Sequence, residues 1–432
     1  MNYFDRNLPD EDKLHNCLSG VSKELENYYA SKSSTNDNFI RLHSSTLGKD
    51  ELMAFSKAFL EGNITLGKYN NEYENLACEV FDSNYAITSN SGSSANLIAI
   101  SALIQSKRLS PGDKVIVPVL AWSTTVFPLV QYGLIPVYVD ISFSDFNLSK
   151  TAVENCVKEH DIKAIMLIHT YGNPANIEFF MNLSISRSIL LIEDTCESMG
   201  SKWDEKPLGS FGELGTFSSY FSHHICTLEG GITVCKDKNL SDLMRSIRSH
   251  GWIRGIDVEL SKIEGIDHFD PSFLFLNTGY NLRLSDPQAA IGCIQIRKLN
   301  KFVKDRENVA ERYIRNISNS SVLEKNIKFP IVDDRATASW FGFPILLPKI
   351  NNKFISVIKD YLKSSKIETR PFLAGDFSKQ PVNKKFQNIC FNSCPNINLF
   401  HKNAFALPCH QDLTLDNVDK VCETLENAIN SI

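Results

Sequence analysis

Two adjacent histidines, His223 and His224, have side chains that can do acid–base chemistry. They lie in the stretch FSSYFSHHICTLEGG, which runs from Phe217 to Gly231 and begins with a short strand-like run. An unperturbed imidazole has a pKa of about 6.5, so it can accept and donate a proton near neutral pH. Taken alone, the stretch is equally consistent with ordinary loop histidines. It therefore marks a candidate catalytic loop that other motifs must support.

A second motif joins a strand, a turn and a helix start. In YAITSNSGSSANLIAISALIQ (85–105), Gly92 and Ser93 lie where the helical stretch begins. Free backbone N–H groups and the positive end of the helix dipole favour a phosphate at such a place. Gly92 allows close backbone approach, and Ser93 offers a hydroxyl. Because serine-rich helix caps are common, this motif alone is a weak signal.

Buried strands alternate with helical stretches along the chain, which predicts an α/β fold. The segments 114–140, 162–177 and 188–201 each contain an apolar strand, and the last strand ends in acidic residues. Such alternation is typical of a large, mostly parallel sheet with helices on both faces. A helix from Asp286 to Phe302 would link this part to a smaller α/β domain.

The same patterns predict how the chain is divided. Residues 1–40 are polar and are expected to form an N-terminal extension with one or two short helices. A large domain is expected over 41–300 and a small C-terminal domain over 301–432.

Composition excludes some functions. The 432 residues include 45 Lys and Arg against 50 Asp and Glu, so a net charge of −5 gives no support for nucleic-acid or membrane binding. The start is too polar for a signal peptide, and no apolar run approaches a membrane span. The 11 cysteines form no CxC or CxxC motif. We therefore expect a reduced, cytoplasmic protein.

Together the motifs resemble the DegT/DnrJ family of nucleotide-sugar enzymes, which use pyridoxal phosphate (PLP) and have the type I fold. The family's cofactor loop reads roughly Phe-Ser-Phe, three residues, Lys and, six residues further on, Glu-Gly-Gly, and the lysine forms a Schiff base with PLP. Here Ser218 and Glu229 match, but His223 holds the lysine position. An imidazole cannot hold PLP as a stable imine. The resemblance therefore implies PLP, or its amine form PMP, bound non-covalently, with His223 as the catalytic base and acid.

The resemblance also implies roles for residues outside the loop. The residues that match the family's cofactor contacts are Gly92, Ser93, Trp122, Asp194, Glu197, Ser218 and Asn281. Asp194 would keep the pyridine nitrogen protonated, which makes the ring an electron sink, and Trp122 would stack on that ring. Asn281, in the motif GYNLR, would reach the cofactor phosphate of the neighbouring subunit, which implies a homodimer with shared active sites.

Substrate contacts are expected from His250 and Arg370, by the same resemblance. From the residues alone, simpler interpretations stay open. Trp122 would also suit a core position, Asp194 a helix cap, and His250 and Arg370 a solvated surface.

The histidine in the lysine position favours the branch of the family that removes the C3 hydroxyl of nucleotide-linked 4-keto-6-deoxysugars. That activity implies L-glutamate as amino donor, a GDP-linked substrate, and a 3,6-dideoxysugar for O-antigen synthesis. A branch acting on CDP-sugars shares the histidine but carries a cysteine-rich iron–sulfur motif. Residues 251–277 contain no cysteine, so we expect neither an iron–sulfur cluster nor another metal.

The sequence leaves three alternative functions open. One is a nucleotide-sugar aminotransferase that uses another lysine, although no lysine occurs between Ser210 and Cys235. The second is a CDP-linked sugar 3-dehydrase. The third is a protein that uses the cofactor fold for a regulatory or structural purpose.

Overall fold

The computed structural model describes residues 11–32, 39–62, 64–254, 256, 265–266, 268–270 and 273–432. Its helices are α1 (Glu11–Lys32), α2 (Lys49–Leu60), α3 (Lys68–Val80), α4 (Gly92–Gln105), α5 (Ser123–Gln131), α6 (Lys150–Glu159), α7 (Ile177–Arg187), α8 (Lys238–Arg248), α9 (Asp286–Asn319), α10 (Ser321–Asn326), α11 (Ile355–Ser364), α12 (Pro395–Asn403) and α13 (Leu415–Asn430). Its strands are β1 (Tyr85–Ser89), β2 (Lys114–Pro118), β3 (Ile135–Val139), β4 (Ile162–Ile168), β5 (Leu190–Asp194), β6 (Lys202–Trp203), β7 (Lys206–Pro207), β8 (Leu214–Ser218), β9 (Gly231–Cys235), β10 (Ala336–Thr337), β11 (Phe343–Leu346), β12 (Arg370–Pro371), β13 (Ile389–Cys390) and β14 (Ala404–Leu407).

A large sheet organises the N-terminal two thirds of the chain. Its strand order is β1-β9-β8-β5-β4-β2-β3-β13, and β9 runs antiparallel to its neighbours while the other pairs are parallel. The central strands are short apolar runs that are buried on both faces, as parallel strands between helix layers must be. The expected α/β fold with a mostly parallel sheet is therefore confirmed.

The C-terminal part is built on a second, antiparallel sheet of order β11-β14-β12. It has its own apolar cluster, which includes Tyr313, Phe343, Ile358 and Phe405. No described helix is both long enough and apolar enough to cross a lipid bilayer.

Helix α9 connects the two parts, and it is longer than the sequence predicted. It runs from Asp286 to Asn319 instead of ending at Phe302. Beyond Phe302, the buried residues Val309, Tyr313 and Ile317 continue the helical spacing and pack into the C-terminal cluster. Residue 300 thus falls inside one continuous helix, and the division into two domains at that residue stays a prediction.

The N-terminal extension also differs in detail from the expectation of one or two short helices. Within it, the structure describes one helix of 22 residues, α1. Its apolar and polar residues give little amphipathic contrast, so the sequence carried only a weak helical signal.

Candidate active site

A cleft of about 430 Å³ lies where the carboxyl ends of β4, β5 and β8 meet the starts of α4 and α5. This edge is where open α/β sheets bind ligands. Phe341 and Arg370, from the C-terminal part, close the other side. Of the residues predicted from the sequence, those that line the cleft are Gly92, Ser93, Trp122, Asp194, Glu197, Ser218, His223 and Arg370.

The start of helix α4 forms one wall of the cleft. The Ser91 hydroxyl caps the helix by accepting the backbone N–H of Ser94 at 3.1 Å. The backbone N–H groups of Gly92 and Ser93 lie in the first turn of the helix, where they have no intrahelical carbonyl partner, so they are left for a ligand. A β-carbon on Gly92 would lie 2.6 Å from the Ser218 β-carbon, so only glycine permits this close approach. The arrangement suits a phosphate held by backbone N–H groups and serine hydroxyls.

Asp194 is held rigidly at the floor of the cleft. One carboxylate oxygen accepts hydrogen bonds from Asn96 Nδ2 at 2.9 Å and Thr125 Oγ1 at 2.8 Å. The other oxygen accepts the backbone N–H of Cys196 at 3.2 Å. The carboxylate caps none of the helices that the structure describes, and Asp194 is only 5% exposed. It is thus oriented to face a cationic or N–H-bearing ring that enters the cleft.

The imidazole of His223 has a defined tautomer. Nδ1 lies 2.7 Å from the backbone carbonyl oxygen of Cys196. A carbonyl can only accept, so Nδ1 carries the proton and Nε2 keeps a lone pair. Phe341 stacks on the ring at a centroid distance of 4.8 Å and 29°. These two contacts fix the ring while leaving one nitrogen able to take a proton.

Burial also keeps His223 neutral. Loss of hydration is the main cause that lowers the pKa of the imidazole to about 4. The hydrogen bond to Cys196 opposes this shift in pKa, and the positive charges of Arg370 and Arg306 add to it. At neutral pH the side chain is therefore a free base. Once protonated, it returns the proton readily.

Glu197 and Arg370 are two further ionisable groups of the cleft. Glu197 accepts the backbone N–H of Tyr171 at 3.2 Å, and burial raises its pKa to about 7, although the charge of Arg370 acts in the opposite direction. The Arg370 guanidinium carbon lies 5.8 Å from the Trp122 ring centroid and 5.7 Å from that of Phe341. Arg370 is thus a cation between two aromatic rings at the wall of the cleft.

Trp122 is 48% exposed and lines the cleft, so it is not a core residue. It precedes helix α5 as the N-cap. Its open face suits a flat ring, as the stacking hypothesis requires.

His224 has a structural environment. It is fully buried, its Nε2 lies 2.6 Å from the Ser339 carbonyl oxygen, and burial holds its pKa well below the usual value. It does not line the cleft. Of the two adjacent histidines, His223 is the one placed for chemistry.

His250 and Asn281 lie outside the cleft of their own chain. Ser249 pairs with Asn281 in a β-bridge, and the His250 backbone N–H donates to the Tyr280 carbonyl at 2.7 Å. Both residues are exposed. They form one surface patch. The structure of a single chain does not test their predicted roles, which stay predictions.

Several residues that shape the site were missed by the sequence analysis. Asn96 lies four residues after Gly92 on α4, so helical spacing places it on the same face and could have suggested its contact with Asp194. Cys196 contributes a backbone carbonyl, which no residue type signals. Phe341 is brought to His223 only by folding of the C-terminal part.

The donor set fits PLP. The helix start suits its phosphate, Asp194 its ring nitrogen, and Trp122 the face of its ring. Among the described residues, no group of three or more His, Cys, Asp or Glu side chains could hold a metal ion. This fold and this site define the PLP-dependent enzymes of aminotransferase fold.

The chain belongs to the DegT/DnrJ/EryC1/StrS aminotransferase family, whose sequence profile matches residues 45–426. It is 36% identical over 391 residues to GDP-4-keto-6-deoxy-D-mannose 3-dehydratase of Escherichia coli O55:H7, covering 89% of this chain and 99% of that enzyme. The enzyme of the same name from Yersinia pseudotuberculosis is 36% identical over 80% of this chain and 87% of its own length. A solved GDP-4-keto-6-deoxymannose-3-dehydratase with a trapped PLP-glutamate geminal diamine superposes with a TM-score of 0.83, at 34% identity, over 89% of this chain and 100% of that one. The family and cofactor class expected from the sequence are thus confirmed.

Proposed function

We propose that this chain is a PLP- and glutamate-dependent 3-dehydratase that acts on GDP-4-keto-6-deoxy-D-mannose. The product is the 4-keto-3,6-dideoxysugar, a precursor of colitose in O-antigen synthesis. One observation carries the proposal: a neutral, oriented imidazole, His223, lies where an aminotransferase of this family needs a lysine amine. The relatives of the same activity support the choice of substrate.

The cofactor would be held without a covalent bond. The N–H groups of Gly92 and Ser93, together with the Ser218 hydroxyl, would bind its phosphate, and Asp194 would bind its ring nitrogen. Trp122 would cover one face of the ring. When bound, PLP in its amine form supplies an electron sink conjugated to C4 of the sugar.

His223 moves the protons of the reaction. Its Nε2 would accept a proton from the cofactor carbon that carries the amino group, and the protonated ring would then donate a proton to the departing C3 hydroxyl of the sugar, which leaves as water. The low pKa of the imidazole favours the second step, because the protonated ring is a stronger acid than an unperturbed imidazolium. Acid–base catalysis by one such group contributes a factor of about 10²–10⁴ in rate.

The net reaction balances with glutamate as the reductant. The sugar loses its C3 oxygen, and glutamate becomes 2-oxoglutarate and ammonia. Each turnover therefore consumes one glutamate and releases one ammonia. Arg370, as the cation of the cleft, would bind a carboxylate or phosphate of these substrates.

We also propose a homodimer in which each subunit completes the site of the other. Asn281 and His250 are exposed next to each other, away from the cleft of their own chain. In a symmetric dimer this patch would reach the phosphate and the substrate of the neighbouring site.

The substitution His223→Asn tests the proposed chemistry. It removes the base while keeping a polar side chain, so consumption of GDP-4-keto-6-deoxymannose should fall by about 100-fold or more. Binding of PLP, followed by its absorbance, should persist because other residues hold the cofactor. His268→Asn, at an exposed histidine outside the cleft, is the matched control and should keep full activity. Full dehydratase activity in the His223→Asn variant would overturn the proposal.

A further inference from the structure

Two cysteines outside the cleft lie close enough to react with each other. The Sγ atoms of Cys390 and Cys394 are 3.8 Å apart. A disulfide places two sulfurs about 2.05 Å apart, so a closure of about 1.8 Å would join them. Neither residue lines the active-site cleft. The pair is therefore available for chemistry that the dehydratase reaction does not use.

The backbone holds the two thiols together from both ends. Cys390 ends strand β13, which pairs in parallel with β3 through Cys390 and Tyr138. Cys394 precedes helix α12, whose first turn is anchored by the Asp140 carboxylate, which accepts the backbone N–H of Asn396 at 2.6 Å. The proximity of the sulfurs thus results from the fold.

The connecting turn has an unusual conformation. Asn392, Ser393 and Cys394 have φ values of 50°, 55° and 40°, in the left-handed region that residues with a side chain rarely occupy. Three such residues in succession curl the chain sharply. This curl brings Cys394 back beside Cys390.

The two thiols differ in environment. Cys390 is exposed, with the Ser378 hydroxyl 3.9 Å from its sulfur, and the hydrogen bond with Cys394 lowers its pKa to about 7. Cys394 is buried, and its sulfur lies 3.6 Å from the Tyr138 carbonyl oxygen. The hydrogen bond with Cys390 and the loss of hydration raise its pKa. An accessible thiolate next to a protected thiol is the arrangement of an attacking and a resolving cysteine.

We propose that Cys390 and Cys394 form a redox modification site that a peroxide converts to an intramolecular disulfide. The Cys390 thiolate attacks one oxygen of hydrogen peroxide, the O–O bond breaks, and hydroxide leaves and is protonated to water. The resulting sulfenic acid is attacked by Cys394, the S–O bond breaks, and a second water leaves. The peroxide is reduced by two electrons, and the two thiols are oxidised to one disulfide.

Peptide mapping of the intact, reduced protein tests this site. The protein is treated with a stoichiometric amount of hydrogen peroxide, its free thiols are alkylated, and the peptides are weighed. We expect the Cys390–Cys394 peptide to be two hydrogens lighter and to escape alkylation until a reductant is added. Cys17, the exposed cysteine on α1, serves as the internal control and should stay alkylatable. Alkylation of both Cys390 and Cys394 after peroxide treatment, or oxidation of Cys17 at an equal rate, would overturn the proposal.

Two variants separate the roles of the thiols. In Cys394→Ser, oxidation should stop at the Cys390 sulfenic acid, which dimedone traps, whereas the wild-type protein should show little trapping. In Cys390→Ser, neither the disulfide nor the trapped acid should form. Both variants should keep dehydratase activity under reducing conditions, which checks their folding. Equal dimedone labelling of wild type and Cys394→Ser would contradict the assigned order of attack.

Discussion

At His223, an imidazole in place of an amine changes which reactions the site can perform. A lysine would bond to the cofactor and return each intermediate to the enzyme-bound form. The imidazole instead remains free, with Nδ1 tied to the Cys196 carbonyl and Nε2 open. Because burial keeps the ring neutral, it is ready to remove a proton at physiological pH. Elimination can therefore compete with simple amino transfer.

Glu197 gives a prediction about pH. Its pKa is raised to about 7, so below that pH it carries a proton and can donate a hydrogen bond to an oxygen of the cofactor. As the pH rises through 7 the donor is lost, and PLP affinity should fall by up to about tenfold per pH unit. Glu197→Gln keeps a neutral hydrogen-bond donor at every pH, so its PLP affinity should not fall as the pH rises through 7. Titration of the cofactor-free protein with PLP at pH 6 and pH 8 measures the effect.

The Gln variant is also the control for titration of PLP itself, because both proteins meet the same ligand. Only the difference between the two affinity curves reports on Glu197. An identical pH dependence in wild type and Glu197→Gln would show that this carboxyl is not a contact of the cofactor.

Among the helices and strands of the site, the start of helix α4 has little space for an added side chain. It is wedged against the end of β8, so that Gly92 faces the β-carbon of Ser218 and the sulfur of Cys196. Both contacts involve atoms near the backbone, which cannot move aside as the tip of a long side chain would. The geometry of the proposed phosphate site therefore depends on the absence of a side chain at residue 92.

The substitution Gly92→Ala should displace the helix start. The new β-carbon would lie 2.6 Å from that of Ser218, and overpacking of this kind costs about 1–3 kcal/mol. We expect PLP affinity, measured by absorbance titration, to fall about tenfold or more. Gly20→Ala is the matched control, because a β-carbon there would meet nothing within 4 Å. Unchanged affinity in Gly92→Ala would place the phosphate elsewhere.

At the scale of the whole molecule, each active site of the proposed dimer is formed by residues of both subunits. His223 would then come from one subunit and Asn281 from the other, so two different inactive variants should rescue each other. His223→Asn and Asn281→Ala are unfolded and refolded together, so that the subunits mix at random. Half of the dimers are then hybrids with one intact site of two, and about a quarter of wild-type activity should return.

The same mixture without subunit exchange is the control and should stay inactive. Each variant refolded alone should likewise show little activity. Full activity of Asn281→Ala alone, or no recovery in the mixed dimers, would contradict a shared site.

The sequence predicted the site residues that local pattern locates and missed those that depend on the backbone or on distant segments. Gly92, Asp194 and Ser218 occur at strand ends and helix starts, which local pattern locates well, and all three line the cleft. The Cys196 carbonyl and the ring of Phe341 were missed. A backbone acceptor has no residue-type signature, and Phe341 reaches His223 only after the two parts of the chain pack together.

The fold likewise has features that local sequence predicts and features that depend on contacts between distant segments. The alternation of buried strands and helices predicted the parallel sheet, because each βαβ unit is a local pattern. The predicted end of α9 at Phe302 was wrong, because the residues after Phe302 stay helical by packing against the C-terminal cluster. Local spacing thus located the elements, and packing between distant segments decided where they end.

The most direct test of the central claim is the mass of the nucleotide sugar after incubation with the protein, PLP, glutamate and GDP-4-keto-6-deoxymannose. The proposed reaction predicts a product that has lost one oxygen atom, together with one ammonia released per turnover. A product that has gained an amino group in place of its ketone would instead make the chain an aminotransferase, and it would contradict the role assigned to His223.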